Sequence, residues 1–271
     1  MSCASIKTSD ITYLGSKTTT TSQIQEIEAP TLHIFAPKGD KTVLKPVVIF
    51  VHGGNWNEGK KELYNLIGRN FAKKDIVAVI PGYTLSPNAT YDDMTTQIAA
   101  AITWVQEHVK EYGGDVNQIY VSGHSAGGHL AALAVVNPKY GISQNDISGI
   151  ILNDAAGLDM YSYLQNNPPK SSNNYDTTWT SDPANWKDAS PIYFINEETP
   201  PFLIYTGTKT YASIEKYNAI FIEELKKYQP EVAPIFLDKK HIPMVTQLFF
   251  PWSKRYDEIT DFIKKQEVSA N

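Results

Sequence analysis

Ile119-Tyr120-Val121-Ser122-Gly123-His124-Ser125-Ala126-Gly127-Gly128-His129 decides how this chain is read. Ile119 to Ser122 is a short β-rich run. It leads into Gly-x-Ser-x-Gly at Gly123, Ser125 and Gly127, and the small-residue helical stretch Leu130-Ala131-Ala132-Leu133-Ala134 follows at once. Strand, sharp turn and helix in succession are the setting of a nucleophile elbow, whose strained turn holds a serine hydroxyl clear of the sheet. The flanking positions are glycine because side chains there would clash with the neighbouring strand and helix. A glycine-rich loop with an incidental serine is the plainer alternative, but the strand before and the helix after favour the elbow. Nucleotide binding is excluded, since the stretch has neither a Gly-x-Gly-x-x-Gly spacing nor a Lys-Ser/Thr pair after its glycines.

Outward from the elbow, strands and helices alternate. Pro46 to Val51 is a continuous apolar run, as expected of a strand buried on both faces of a parallel sheet, and it ends in His52-Gly53-Gly54-Asn55-Trp56. Leu63 to Lys74 has helical spacing, Ile76 to Ile80 reads as the next strand, and Tyr91 to Tyr112 as a long amphipathic helix with Asp92 and Asp93 in its first turn. After the elbow come strands at Gly149 to Leu152 and Phe202 to Thr206, a helix at Ser213 to Tyr228, a last strand at Pro234 to Leu237 and a closing helix at Trp252 to Gln266. This alternation predicts the α/β class, with a doubly wound, mostly parallel sheet in one domain over residues 23–271. Residues 155–198 break the rhythm and hold Tyr161, Tyr163, Tyr175, Trp179 and Trp186, which predicts a cap-like, aromatic-rich insertion over the carboxyl edge of the sheet. Residues 1–22 are polar and read as a flexible N-terminal tether.

With 271 residues and 42% hydrophobic composition the chain can build one large core. A formal net charge of −5 and the lack of any basic block argue against nucleic acid or an anionic membrane as main partner. No apolar run approaches the ~18 residues of a membrane span. The one cysteine, Cys3, excludes an internal disulfide framework and a cysteine zinc site. No metal or cofactor is expected. Ser2-Cys3-Ala4-Ser5 before the Ser/Thr-rich Thr8 to Ser22 leaves two readings of location. The chain is cytoplasmic as written, or exported and lipid-anchored if Cys3 is a processed lipoprotein cysteine, although no apolar signal segment precedes it.

Serine is a weak nucleophile at neutral pH and needs a base within hydrogen-bond reach, oriented in turn by a third group. Six histidines are available. His33 lies on an early strand and His108 on a polar helix face, His52 opens a glycine loop that it would hold in place, and His124 and His129 flank the elbow. His241 follows the last strand, where the base falls in the chain order serine, acid, histidine. The loop His52-Gly53-Gly54-Asn55-Trp56 would supply backbone N–H donors to the oxyanion of a tetrahedral acyl intermediate, each worth ~3 to 4 kcal/mol. Gly54 and Asn55 are the expected donors, with Gly53 as the hinge and Ala126, after the serine, as the other donor.

These motifs, with Pro81-Gly82-Tyr83, Ser86-Pro87 and Asp93-Met94, resemble the α/β-hydrolase serine esterases, and within them the carboxylesterase and kynurenine-formamidase branch with an HGGxW loop. The resemblance implies a metal-free serine hydrolase cleaving small carboxylic esters or aryl formamides. In that family the acid usually sits in a Gly-x-x-Asp turn, which here reads Gly207-Thr208-Lys209-Thr210, and threonine cannot stabilise an imidazolium by charge. Asp154, at the end of the strand after the elbow strand, is the expected substitute; Glu215 and Asp238 are the other candidates. Without an acid, the chain would be a non-catalytic binding protein on a hydrolase fold.

Overall fold

The computed structural model describes residues 5–15, 17–21 and 23–270; Cys3, and with it the lipoprotein reading, lies outside the described residues. Six strands form in the N-terminal third: β1 (Ser5–Thr12), β2 (Lys17–Thr20), β3 (Gln23–Glu28), β4 (Thr31–Pro37), β5 (Lys45–Val51) and β6 (Val77–Pro81), with helix α1 (Asn65–Ala72) between the last two. Helix α2 (Tyr91–His108) leads to β7 (Gly114–His124), the elbow and α3 (Ala126–Val136), then to β8 (Gly149–Asn153). Three short helices follow, α4 (Met160–Asn166), α5 (Tyr175–Trp179) and α6 (Pro183–Asp188). The chain closes through β9 (Phe202–Gly207), α7 (Ala212–Leu225), β10 (Ile235–Leu237), α8 (His241–Thr246) and α9 (Lys254–Ala270).

Eight of the strands make one sheet in the order β1-β4-β6-β5-β7-β8-β9-β10. From β6 to β10 every pairing is parallel, while β4 joins β6, and β1 joins β4, antiparallel. Alternation along the strands fills a core on each face: Val47, Ile49 and Val51 of β5 enter one, Val48 and Phe50 the other. Every residue of α3 is buried, which is why its sequence is apolar all round rather than on one stripe. The chain moves outward from β5 to β6, then crosses over to β7 on the other side of β5. Adjacent loops therefore leave the carboxyl ends of β5 and β7 in opposite directions, and ligands bind at such switch points.

The expected tether is corrected in its described part. Residues 5–12 form β1 against β4, pairing Ser5 with Pro37 and Thr12 with Thr31 on either side of a register shift between Thr8 and Ile11. Tyr13 is buried and its hydroxyl donates to Gly82 O at 2.7 Å. Thr21 donates through its backbone N (2.9 Å) and hydroxyl (2.7 Å) to Asp93, whose carboxylate also closes a capping box with Thr90 at the start of α2. Ser/Thr-rich composition looks like linker, yet threonine is β-branched and suits an edge strand. Tyr13→Phe leaves a buried carbonyl without its donor, so it should cost about 1–2 kcal/mol in urea unfolding; a free tether would show no change.

Candidate active site

Ser125 sits between β7 and α3 with φ 55° and ψ −125°, a left-handed conformation that costs a non-glycine residue ~1–3 kcal/mol. Close approach on both sides fixes it. A Cβ at Gly127 would lie 2.2 Å from Val51 O, and one at Gly123 would lie 2.3 Å from Gly127 O. Around the turn, Ser125 N donates to Asn153 O at 3.3 Å, and Ser125 O accepts from the N–H groups of Gly128, His129 and Ala156 at 3.0–3.2 Å.

His241, the first residue of α8, brings its Nε2 to 2.8 Å from Ser125 Oγ and its Nδ1 to 2.6 Å from Asp154 Oδ2. Asp154 is fully buried just beyond β8, itself at φ 50°. Its other oxygen accepts the Gly207 N–H at 2.9 Å, and Thr210 Oγ1 donates to Oδ2 at 2.5 Å. Thr210 is thus a donor to the carboxylate, with its hydroxyl 3.4 Å from His241 Nδ1. The two other candidates face elsewhere: Glu215 is exposed on α7, and Asp238 is exposed and paired with Lys209 at 2.8 Å.

The glycine loop after β5 lies against the elbow. A Cβ at Gly53 would stand 3.1 Å from Ser125 Cβ and 2.7 Å from His124 O, so that position is glycine for close approach. The hinge expected there falls one residue later. Gly54 (φ 132°), Asn55 (φ 50°) and Trp56 (φ 60°) carry the turn. Ala126 opens α3, and the first N–H groups of a helix have no partner within it. Tyr83 OH donates to His52 O at 2.9 Å and Tyr175 OH to Asn55 Oδ1 at 2.7 Å, bracing the loop from both ends.

Three buried histidines act as struts. His52 Nδ1–H donates to Gly53 O at 2.9 Å while its ring stacks on Tyr83 at 4.4 Å. His124 Nε2–H donates to the backbone carbonyl of His241 at 3.1 Å, and the two rings lie 4.6 Å apart. His129 donates from Nε2 to Ala189 O at 2.7 Å and accepts the Trp56 indole N–H at Nδ1, 3.1 Å away. Burial pushes the pKa of His52 and His129 down to about 4; burial, then the neighbouring His241, pushes that of His124 down to about 3. The part His124 plays in holding His241 is not visible in the sequence, where the two stand 117 positions apart.

Ser125 and His241 open onto a cavity of about 710 Å³. Residues 155–198 contribute α4, α5 and α6, and Met160, Tyr163 and Tyr175 from this segment line the cavity. Elsewhere, Asp10, His33 and Glu62 bring ligand-type atoms within 4.8 Å of one another. Lys61 Nζ already serves them as cation, at 3.0 Å from Asp10 and 2.8 Å from Glu62. No described helix is long and apolar enough to cross a membrane.

A parallel sheet with a serine elbow after its central strand defines the α/β-hydrolase fold, and solved structures agree. An inhibited esterase B from Lactobacillus Rhamnosis superposes with a TM-score of 0.77 at 20% identity, covering 98% of this chain and 88% of that one. Butyrate-bound Est2 from Thermogutta terrifontis gives 0.72 at 22% identity, covering 93% and 94%. The chain belongs to the BD-FAE family of α/β-hydrolase esterases, whose family model matches residues 32–214. Among curated relatives, Esterase LipC of Mycobacterium tuberculosis is 29% identical over 212 residues, 73% of this chain and 52% of that protein. The probable isoprenylcysteine alpha-carbonyl methylesterase ICMEL1 of Arabidopsis thaliana is 39% identical over 105 residues, 39% of this chain and 22% of its own. The chain thus spans between about a fifth and about half of the length of these relatives.

The three strut histidines set an acid limit. Their folded pKa values lie below the ordinary 6.5, so between pH 6.5 and about 4 the unfolded chain binds more protons and stability falls as pH falls. Each contributes a slope of about 1.4 kcal/mol per pH unit, so the three together approach roughly 4 kcal/mol per unit. Urea unfolding between pH 7 and 5 should show this, with His124→Gln flattening the slope by about one proton; an unchanged slope contradicts the assignment.

Proposed function

We propose that this protein hydrolyses small carboxylic esters through an acyl-enzyme. The observation that carries this reading is the unbroken hydrogen-bonded line from Ser125 through His241 to Asp154 at the wall of a cavity. Ser125 Oγ attacks the ester carbonyl as its proton passes to His241 Nε2. The imidazolium keeps its Nδ1–H on Asp154, which stays ionised and holds the ring's tautomer and direction. The tetrahedral oxyanion is met by the N–H groups of Gly54, Asn55 and Ala126. His241 then protonates the departing alcohol, and a water activated by the same nitrogen releases the acid and restores Ser125. A cavity of about 710 Å³ suits a small-molecule ester. Family membership supports the same reaction class.

Turnover of p-nitrophenyl butyrate tests the roles. Ser125→Ala should lower kcat by about 10⁴-fold or more, and Asp154→Asn by about 10³- to 10⁴-fold. Glu215→Gln and Asp238→Asn should keep wild-type rates. Equal turnover by wild type and Ser125→Ala would remove the nucleophile assignment.

Because Thr210 Oγ1 lies 3.4 Å from His241 Nδ1, a carboxylate at that position can take over the ring. In the Asp154→Asn background, Thr210→Asp should restore about tenfold or more of the lost kcat. No recovery in a folded double variant would mean that the ring cannot be oriented from that side.

A further inference from the structure

The cavity beside Ser125 has an uneven charge. Two acidic residues line it, Glu58 from the loop after β5 and Asp159 from the turn after β8, and neither lysine nor arginine among the described residues. Asp159 is 4% exposed, so its charge acts through protein rather than through water. Its Oδ1 accepts the Ser162 N–H at 3.0 Å, which fixes the carboxylate at the start of α4. Glu58 stands exposed towards solvent. The lining is also rich in tyrosine. Tyr163 meets Tyr217 edge to face at 6.0 Å and 87°, the Tyr217 ring already carrying Lys216 Nζ 5.1 Å from its centre; Tyr175 is tied to Asn55, and the Tyr211 ring lies 5.1 Å from that of His241.

Carboxylates and the electron-rich faces of phenol rings attract the same kind of group. An ammonium is stabilised by both at once, and by tyrosines more strongly where water is excluded. An anionic substrate would meet the opposite: repulsion from Glu58 and Asp159, with no cationic side chain in the wall to receive it. The net charge of −5 adds a field of the same sign at longer range.

We propose that the cavity selects esters bearing a positively charged ammonium group, which Glu58, Asp159, Tyr163 and Tyr175 hold while the ester carbonyl lies at Ser125. This rests on the esterase reading above. The cation can lie in the alcohol half or the acyl half of the ester, and paired isosteres decide which. Butyrylcholine is compared with 3,3-dimethylbutyl butyrate, and methyl 5-(trimethylammonio)pentanoate with methyl 6,6-dimethylheptanoate, so that only nitrogen and its charge change within a pair. In at least one pair the charged ester should have kcat/KM about tenfold higher. Glu58→Gln and Asp159→Asn, the latter keeping a residue able to cap α4, should each reduce that ratio by about threefold in folded protein. Equal constants in both pairs overturn the proposal, as does a preference that neither substitution reduces; both results leave the esterase reading standing. Failure to hydrolyse any of the four esters, or p-nitrophenyl butyrate, overturns both.

Discussion

A buried carboxylate must be met by donors, and around Asp154 that requirement organises the carboxyl edge of the sheet. An uncompensated charge in the interior costs several kcal/mol, about as much as a domain has to spare. Asp154 is fully buried and meets three donors from three places: the Gly207 N–H at the end of β9, the Thr210 hydroxyl beyond it, and the His241 ring at the start of α8. The carboxylate therefore ties together the ends of β8 and β9 and the segment after β10. The strained residues Asp154 and Ser125 are held in the same way. Asp154 N donates to Tyr205 O, and Ser125 is bonded through both its N–H and its carbonyl. Left-handed backbone at these positions persists because the surroundings over-determine it.

The density of histidines around the elbow has a related cause. His52, His124 and His129 each donate one ring N–H to a backbone carbonyl, and burial keeps all three neutral at ordinary pH. A neutral imidazole offers a donor on one edge and an acceptor on the other without the cost of burying a charge. His129 uses both, accepting from Trp56 and donating to Ala189. The indole of the glycine loop, the first turn of α3 and the segment after α6 are thereby joined through one ring.

What was legible in the sequence was what is local. Strand, glycines, serine and helix lie within a dozen consecutive residues, and their sterics need no distant partner. The alternation of strands and helices likewise fixed the doubly wound sheet. Long-range pairings were hidden. The Thr21–Asp93 bonds span 72 positions, and β1 carries the Ser/Thr composition of a linker. Sequence alone does not tell the hinge from its neighbour, because two different demands, close approach at Gly53 and positive φ at Gly54, both read as glycine. Asp154 could be proposed from chain order, but not distinguished from Glu215 or Asp238 without knowing which way each strand end turns.

Thr210 illustrates why a departure from a family pattern need not mean a lost site. Its hydroxyl and Asp154 Oδ2 are 2.5 Å apart. Two carboxylates at that separation could not both ionise, and one would hold a proton at neutral pH. Once the negative charge stands at Asp154, position 210 is constrained to a group that is neutral, small and able to donate. Threonine meets all three conditions, donating its hydroxyl to Asp154 Oδ2. The side chain that looks like a missing acid in the sequence is, in the fold, a hydrogen-bond donor to the buried Asp154 carboxylate.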